Sequence, residues 1–310
     1  MRVIVSGSSG LIGMALGVRL ASAGDEMLRL VRRPAKAASE IQWNPQAAGG
    51  GIDPAALDGA DAVVHLAGAP IAAGRWTAAR KQQIRDSRMA GTSALVSALT
   101  AMDRPPSVLL SGSAIGYYGD TGGREVDESS PAGSGFLADV VRDWEAAAAP
   151  AEKAGIRVVS LRTGIVLSRN GGVVGRLLPL FRLGLGARIG SGTQVMSWIT
   201  LTDLVRILCF LIEQGDISGP VNLTAPHPAS NAEFTSALAA AVGRRALLGI
   251  PAVALQVGLG EVAGELLSSA RVVPRRLLDA GGEALWRSGD SIGTALAAEL
   301  SQPASPADEH

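Results

Sequence analysis

The sequence predicts an α/β protein in which a doubly wound parallel sheet is followed by a smaller, mostly helical C-terminal lobe. Three observations carry that expectation. Short β-branched apolar runs alternate with longer helical patterns through the first half of the chain. Those runs are continuously apolar, as strands covered by helices on both faces require. The first run leads through closely spaced glycines directly into a helical pattern.

In chain order, strands are expected at Val3–Val5, Met27–Val31, Ala62–Leu66, Val108–Leu110 and Val158–Leu161. Helices are expected at Leu11–Ala23, Thr77–Ala101 and Phe136–Ala154, each ending near Gly, Pro or a polar cluster. Gly49-Gly50-Gly51 and Gly122-Gly123 mark loops, because the alternation continues past both. Past Leu161 the pattern changes to helices broken by Gly and Pro. The expected organisation is a nucleotide domain over 1–165, a lobe over 166–300 that can interleave with it, and a flexible tail over 301–310 rich in Ser, Pro, Ala and acid.

Composition excludes several classes of function. Lys+Arg and Asp+Glu both number 28 in 310 residues, and no basic stripe interleaved with aromatics suggests nucleic acid. The single Cys209 excludes an internal disulfide and reads as a buried small hydrophobe. His65, His227 and His310 stand at no metal-ligand spacing, so no metal is expected. The segment Ala246–Gly260 is shorter than the ~20 residues of a membrane span and is interrupted by Pro251 and Gln256. It reads as a buried or pocket-lining helix. No leader pattern precedes Val3-Ile4-Val5, so a cytoplasmic monomer or homodimer with a small-molecule substrate and no membrane partner is expected.

The turn Gly7-Ser8-Ser9-Gly10-Leu11-Ile12-Gly13 sits between the first strand and the first helix. Gly7 permits a tight exit from the strand, Gly10 lets backbone approach a pyrophosphate, and Gly13 lets helix and strand pack closely. Free N–H groups at Ser8, Leu11 and Ile12 and the positive end of the helix then favour a diphosphate. This is a Rossmann-type dinucleotide site. An NAD enzyme usually carries an acid about 20 residues past the glycines. Here Arg32 and Arg33 end the second strand, and guanidinium groups can clamp a 2′-phosphate, so NADP(H) is the expected cofactor. After the Ala62–Leu66 strand come Ala67-Gly68-Ala69-Pro70, small residues that let a cofactor lie close over the sheet edge, with Leu66, Ala67 and Gly68 as the candidate contacts. His65 reads as packed and hydrogen-bonded.

Gly7, Gly10 and Gly13 with His65-Leu66-Ala67-Gly68 resemble the extended short-chain dehydrogenases/reductases, which include nucleotide-sugar epimerases and dehydratases. The strings Ala67-Gly68-Ala69-Pro70-Ile71, Arg75-Trp76-Thr77, Ser87-Arg88, Ser113-Ala114-Ile115-Gly116-Tyr117-Tyr118-Gly119, Phe136-Leu137-Ala138-Asp139, Asp143-Trp144-Glu145 and Met196-Ser197-Trp198-Ile199 resemble an atypical subfamily. Its members are labelled epimerase family proteins and carry a C-terminal domain of unknown function. The resemblance runs through Pro274-Arg275-Arg276-Leu277-Leu278 and so covers nearly the whole chain.

The wider family exchanges protons through a Tyr and a Lys four residues later, the Lys lowering the phenol's pKa. This chain departs from that pattern. The residues four past Tyr117 and Tyr118 are Thr121 and Gly122, and aligning Glu145 with the family's downstream acid puts Leu137 and Val141 at the Tyr and Lys places. Ser113 matches the family's serine that hydrogen-bonds a substrate carbonyl. Tyr117 or Tyr118 is then a candidate proton donor, the alternative being that both line the wall. Arg88 and Arg162 are candidates to hold the cofactor or tune a phenol, and Arg162, just past the Val158–Leu161 strand, reads more readily as holding the cofactor or capping the strand end. Arg75 and Trp76 read equally as a loop that closes over the site and as a surface turn. Asp203 reads as a cap or first-turn acid for the Leu204–Ile212 helix. Two functions stay open: an NADP-dependent oxidoreductase or epimerase acting on a small carbonyl or hydroxyl compound, and a non-catalytic NADP(H)-binding protein with a cofactor-dependent partner.

Overall fold

The structure is a computed structural model that describes residues 1–47, 51–71 and 74–301. Gly49 and Gly50 of the glycine loop, and the expected tail beyond Ser301, lie outside the described residues.

The first half alternates as its periodicity requires: β1 (Arg2–Ser6), α1 (Leu11–Ser22), β2 (Glu26–Val31), β3 (Glu40–Gln42), β4 (Ala62–His65), α2 (Ala78–Thr100), β5 (Val108–Ala114) and α3 (Phe136–Lys153). With the later strands Arg157–Thr163 and Gly219–Leu223 these form one parallel sheet. Its order is Gly219–Leu223, Arg157–Thr163, β5, β4, β1, β2, β3. The order reverses direction beside β1, which opens a crevice at the carboxyl ends of β1 and β4, the place where ligands enter such sheets.

Both faces of the sheet are covered, which explains the continuous apolar runs. On one face Val3, Val5, Val64 and Leu110 pack against α1 and the helix α5 (Leu201–Glu213). On the other Ile4, Val63, Leu109 and Val158 pack with α2 and α3. Burying side chains of this size contributes about 1.5–3 kcal/mol each.

Part of the segment 166–300 joins the sheet. The strand Gly219–Leu223, well inside 166–300, completes the sheet edge against Arg157–Thr163. Helices α4 (Gly172–Arg182) and α5 follow the sheet's sixth strand, and α5 packs back on α1. A separate core gathers Phe181 of α4, Trp198 of the short strand Trp198–Thr200, Phe234 of α6 (Asn231–Ala241) and Leu296 of the C-terminal helix. Four further helices follow: α7 (Ala252–Leu259), α8 (Val262–Leu267), α9 (Arg275–Gly281) and α10 (Ile292–Ser301).

One expectation is corrected and another is narrowed to one of its alternatives. The segment Ala246–Gly260 is not one buried helix: Leu248–Ile250 forms a strand beside Ala187–Ile189, and α7 has no buried residue. Pro251, which lacks an N–H, separates the strand from the helix. Asp203 is the first-turn acid of α5, whose N-cap is Thr200 with its hydroxyl accepting from the Asp203 N–H. Cys209 is half-buried against the core, and burial pushes its thiol pKa up.

Candidate active site

The turn after β1 has the geometry its sequence implies. Gly7 adopts φ +69°, the left-handed region, and an added Cβ there would meet the Leu66 carbonyl carbon at 2.8 Å. At Gly13 a Cβ would lie 2.7 Å from the Ser8 Cα. Both positions therefore lock the turn against β4 and α1. Gly10, the N-cap of α1, is open to solvent, with no side-chain cap and no acid in the first turn. The N–H groups of Leu11 and Ile12 are left for an external acceptor, and the turn fits a diphosphate.

Beside the turn, Ser6 ties β1 to β4. Its Oγ accepts from the N–H groups of Leu66 and Ala67 at 3.1 and 3.2 Å, and lies 2.7 Å from His65 Nδ1. With both lone pairs engaged, the serine proton goes to Nδ1, so His65 carries its own proton on Nε2 and donates to Thr92 Oγ1 at 3.1 Å. Trp144 Nε1 also donates to Thr92 Oγ1, at 2.9 Å. His65 is fully buried, and desolvation pushes its pKa down to about 4. It is a neutral strut that fixes the Leu66-Ala67-Gly68 bend.

Arg88, on α2, lies beneath that bend. A Cβ at Gly68 would stand 3.4 Å from its Cζ, and its guanidinium donates to the carbonyls of Ala69 and Ile84 and rests over Trp144. Among the described residues no carboxylate pairs with it. Burial, with Arg80 nearby, pushes its pKa down to about 10. The two arginines after β2 differ. Arg33 forms a forked pair with Glu40 of β3, at 2.6 Å for Nη2–Oε1 and 2.8 Å for Nη1–Oε2. Arg32 is exposed, with no side-chain partner among the described residues.

The catalytic candidates gather at the far side of the sheet. Register sets Ser113 of β5 beside Arg162, and Arg162 beside Asn222, so three polar residues share one rung and one face. Gly112 lets α3 close on this rung, since a Cβ there would stand 2.7 Å from the Trp144 ring. The next residue, Glu145, then reaches over. Ser113 Oγ donates to Glu145 Oε1 at 2.6 Å, while Arg162 donates from Nε to Oε1 at 2.8 Å and from Nη2 to Oε2 at 2.9 Å. Arg162 Nη1 donates to the Tyr118 hydroxyl at 2.9 Å, and that hydroxyl donates to Asn222 Oδ1 at 2.8 Å. The Tyr117 ring stacks under the guanidinium, 3.4 Å from Cζ to ring centroid.

Charge follows from this packing. Burial lowers the Arg162 pKa, but the hydrogen bond and charge of Glu145, with Tyr118, outweigh it and hold the guanidinium above its ordinary value. Tyr118 is buried, and desolvation pushes its phenol up to about 12 despite the neighbouring Arg162. Leu137 packs on Gly116 and Val141 is buried, so the face of α3 where a Tyr and Lys are sought is apolar.

The structure therefore brings Ser113, Tyr117, Tyr118 and Arg162 together and sets Arg32 and Arg33 apart at the other edge of the crevice. Arg162 directs Nε and Nη2 to Glu145 and Nη1 to the Tyr118 hydroxyl, so it meets a phenol, one of the roles expected of it. Two residues of the cluster, Glu145 and Asn222, were missed as site residues. The Glu145 signal was available in its match to the family's downstream acid. Nothing local marks Asn222, which arrives by strand pairing. Trp76 is buried, donates from Nε1 to the Ile71 carbonyl and packs on Phe136, while Arg75 donates to the carbonyls of Val257 and Gly258. That loop is tied to α7.

A parallel sheet with an uncapped glycine turn at its crevice and a polar rung beyond defines a dinucleotide-binding protein of the short-chain dehydrogenase/reductase type. Residues 3–224 match the NAD dependent epimerase/dehydratase family, and residues 250–281 match a domain of unknown function, DUF1731. The chain belongs to the NAD dependent epimerase/dehydratase family. It is similar to an Epimerase family protein of Mycobacterium bovis, 50% identical over 280 residues that cover 90% of this chain and 92% of the relative. It is likewise similar to the human Epimerase family protein SDR39U1, 38% identical over 91% of this chain and 94% of the relative. The crystal structure of the human protein, isoform 2 with NADPH, superposes with a TM-score of 0.88 at 37% identity, covering 97% of this chain and 100% of that one.

Proposed function

We propose that this chain is an NADP(H)-dependent oxidoreductase or epimerase-type enzyme acting on a small carbonyl or hydroxyl compound, with Ser113 and Glu145 in the place of the missing Tyr-Lys pair. The observation that carries this reading is the 2.6 Å hydrogen bond from Ser113 to Glu145 at the carboxyl edge of the sheet. The uncapped turn at Gly7, Ser8, Gly10, Leu11, Ile12 and Gly13 holds the diphosphate. Arg32, free at the end of β2, takes the 2′-phosphate, and Arg33 neutralises Glu40 beside it. The Leu66-Ala67-Gly68 bend lies against the dinucleotide, with the Arg88 charge beneath. The human relative crystallised with NADPH supports this assignment.

When bound, the dinucleotide supplies or accepts a hydride. The chain's own residues handle the proton. In the oxidative direction a substrate hydroxyl gives its proton to Ser113 Oγ as Ser113 passes its own to Glu145, and hydride leaves the same carbon. In reduction the transfers reverse, so the carbonyl oxygen gains the proton as its carbon gains hydride. Arg162 is a positioning residue: its fork holds both Glu145 oxygens. Tyr118, with a pKa of about 12 and its hydroxyl fixed between Arg162 and Asn222, serves the framework. Tyr117 lines the wall over Arg162.

The test is NADPH oxidation over a panel of aldehydes, ketones and keto sugars, with NADPH binding measured in parallel. Turnover lost on Ser113→Ala and on Glu145→Gln, with binding intact, supports the assignment. Tight NADPH binding with silence across the panel supports the non-catalytic reading.

A further inference from the structure

A second cleft, of about 650 Å³, lies outside the crevice, between α1, the first turn of α5 and α10. Its α1 residues, Ala15, Val18, Arg19 and Ser22, lie beyond the glycine turn, and none of Gly7 to Gly13 lines it. Four arginines line it: Arg19, Arg169, Arg206 and Arg287. Arg206 is paired with Asp203, and Arg169 donates to the Leu300 carbonyl. Arg19 and Arg287 are exposed, with no side-chain partner among the described residues.

One feature of the cleft is costly unless a ligand uses it. Glu299 is 4% exposed, and its Oε2 has no hydrogen-bond partner. An unsatisfied buried oxygen of this kind is destabilising, because its lost hydration is not replaced. Ser168 and Thr202 also bond the carboxyl, yet burial pushes its pKa up to about 7. The group that meets this oxygen has to be a hydrogen-bonding one that tolerates four arginines. An amine is repelled by them; a hydroxyl is not. Arg19 and Arg287 call for an anion, and Val18 and Val205 offer an apolar side for carbon.

We propose that this cleft binds a small phosphorylated polyhydroxy compound of the sugar-phosphate class, with its phosphate on Arg19 and Arg287 and a hydroxyl on the free Glu299 oxygen. The site is separate from the dinucleotide crevice and stands whether or not the reaction assigned there is correct.

Titration calorimetry on the full chain, with and without saturating NADPH, tests it with glucose 6-phosphate, glucose and inorganic phosphate as separate probes. The expected result is saturable binding of one glucose 6-phosphate per chain, at least tenfold tighter than either half alone and unaffected by NADPH. Arg19→Ala with Arg287→Ala weakens it at least tenfold while NADPH affinity holds, and Glu299→Gln reduces the preference for glucose 6-phosphate over phosphate. The proposal is overturned by any of four results: no saturable binding, equal binding of inorganic phosphate, unchanged binding in the arginine variant, or displacement by NADPH.

Discussion

Arg162 and Glu145 form a two-pronged ion pair at the carboxyl edge of the sheet, with Nε–Oε1 at 2.8 Å and Nη2–Oε2 at 2.9 Å, and the Ser113 hydroxyl shares Oε1. A fork of this kind fixes the carboxylate in two dimensions, which a lysine cannot do. Arg162→Lys is therefore expected to lower turnover by roughly 10²-fold, the scale of a misplaced proton acceptor, while NADPH affinity stays within a few fold. Arg162→Met leaves the mostly buried Glu145 unpaired and is expected to cost roughly 3 kcal/mol of stability, read by denaturant unfolding. A methionine variant as stable as the wild type would contradict this account of the pair.

The two tyrosines are expected to separate. Tyr118→Phe leaves Asn222 Oδ1 without its buried donor and removes an acceptor from Arg162, which should lower stability by about 1–3 kcal/mol. Tyr117→Phe keeps the ring under Arg162 and should leave both stability and turnover nearly unchanged. A loss of turnover of 10²-fold or more in Tyr117→Phe, with stability intact, would return the proton to the phenol.

At the other edge, Arg32→Ala removes a charge-assisted contact to a 2′-phosphate worth about 1.5–3 kcal/mol, so the Kd for NADPH should rise tenfold or more while that for NADH holds. Arg33 acts through Glu40, whose carboxyl it holds down at about 2. Arg33→Ala exposes that carboxylate to the 2′-phosphate. NADPH binding should weaken and partly recover in the double variant Arg33→Ala/Glu40→Ala; no recovery would assign Arg33 a direct contact instead.

His65 gives the fold a pH dependence of known sign. Its folded pKa of about 4 lies below the ordinary value of about 6.5, so between these the unfolded chain binds a proton that the folded chain excludes. Its stabilising contribution is complete above pH of about 6.5 and falls as the pH drops toward about 4, at up to about 1.4 kcal/mol per pH unit. His65→Gln should be less stable at neutral pH yet show a flatter profile over that window. Parallel profiles would mean that the imidazole titrates freely.

The glycine turn, the strand–helix alternation and the absence of a Tyr-Lys pair were legible in the sequence because each is a local pattern. Gly7 and Gly13 carry their geometry in their own identity. The strand Gly219–Leu223 was not legible: it contains Gly and Pro, and only pairing with Arg157–Thr163 makes it a strand. Asn222 was lost with it. The roles of Arg162 stayed open because a sequence does not show which charges neutralise one another, and Glu145 lies on a separate element, α3. The Ala246–Gly260 segment misled in a different way, since its apolar composition suggests burial that α7 does not have.

The most direct test of the central claim is a titration of the purified chain with NADPH and NADH, read by calorimetry. The account predicts saturable binding of one NADPH per chain, at least tenfold tighter than NADH, and a gain in thermal stability that grows with NADPH concentration. Absence of binding by either dinucleotide, or equal affinity for both, would contradict it.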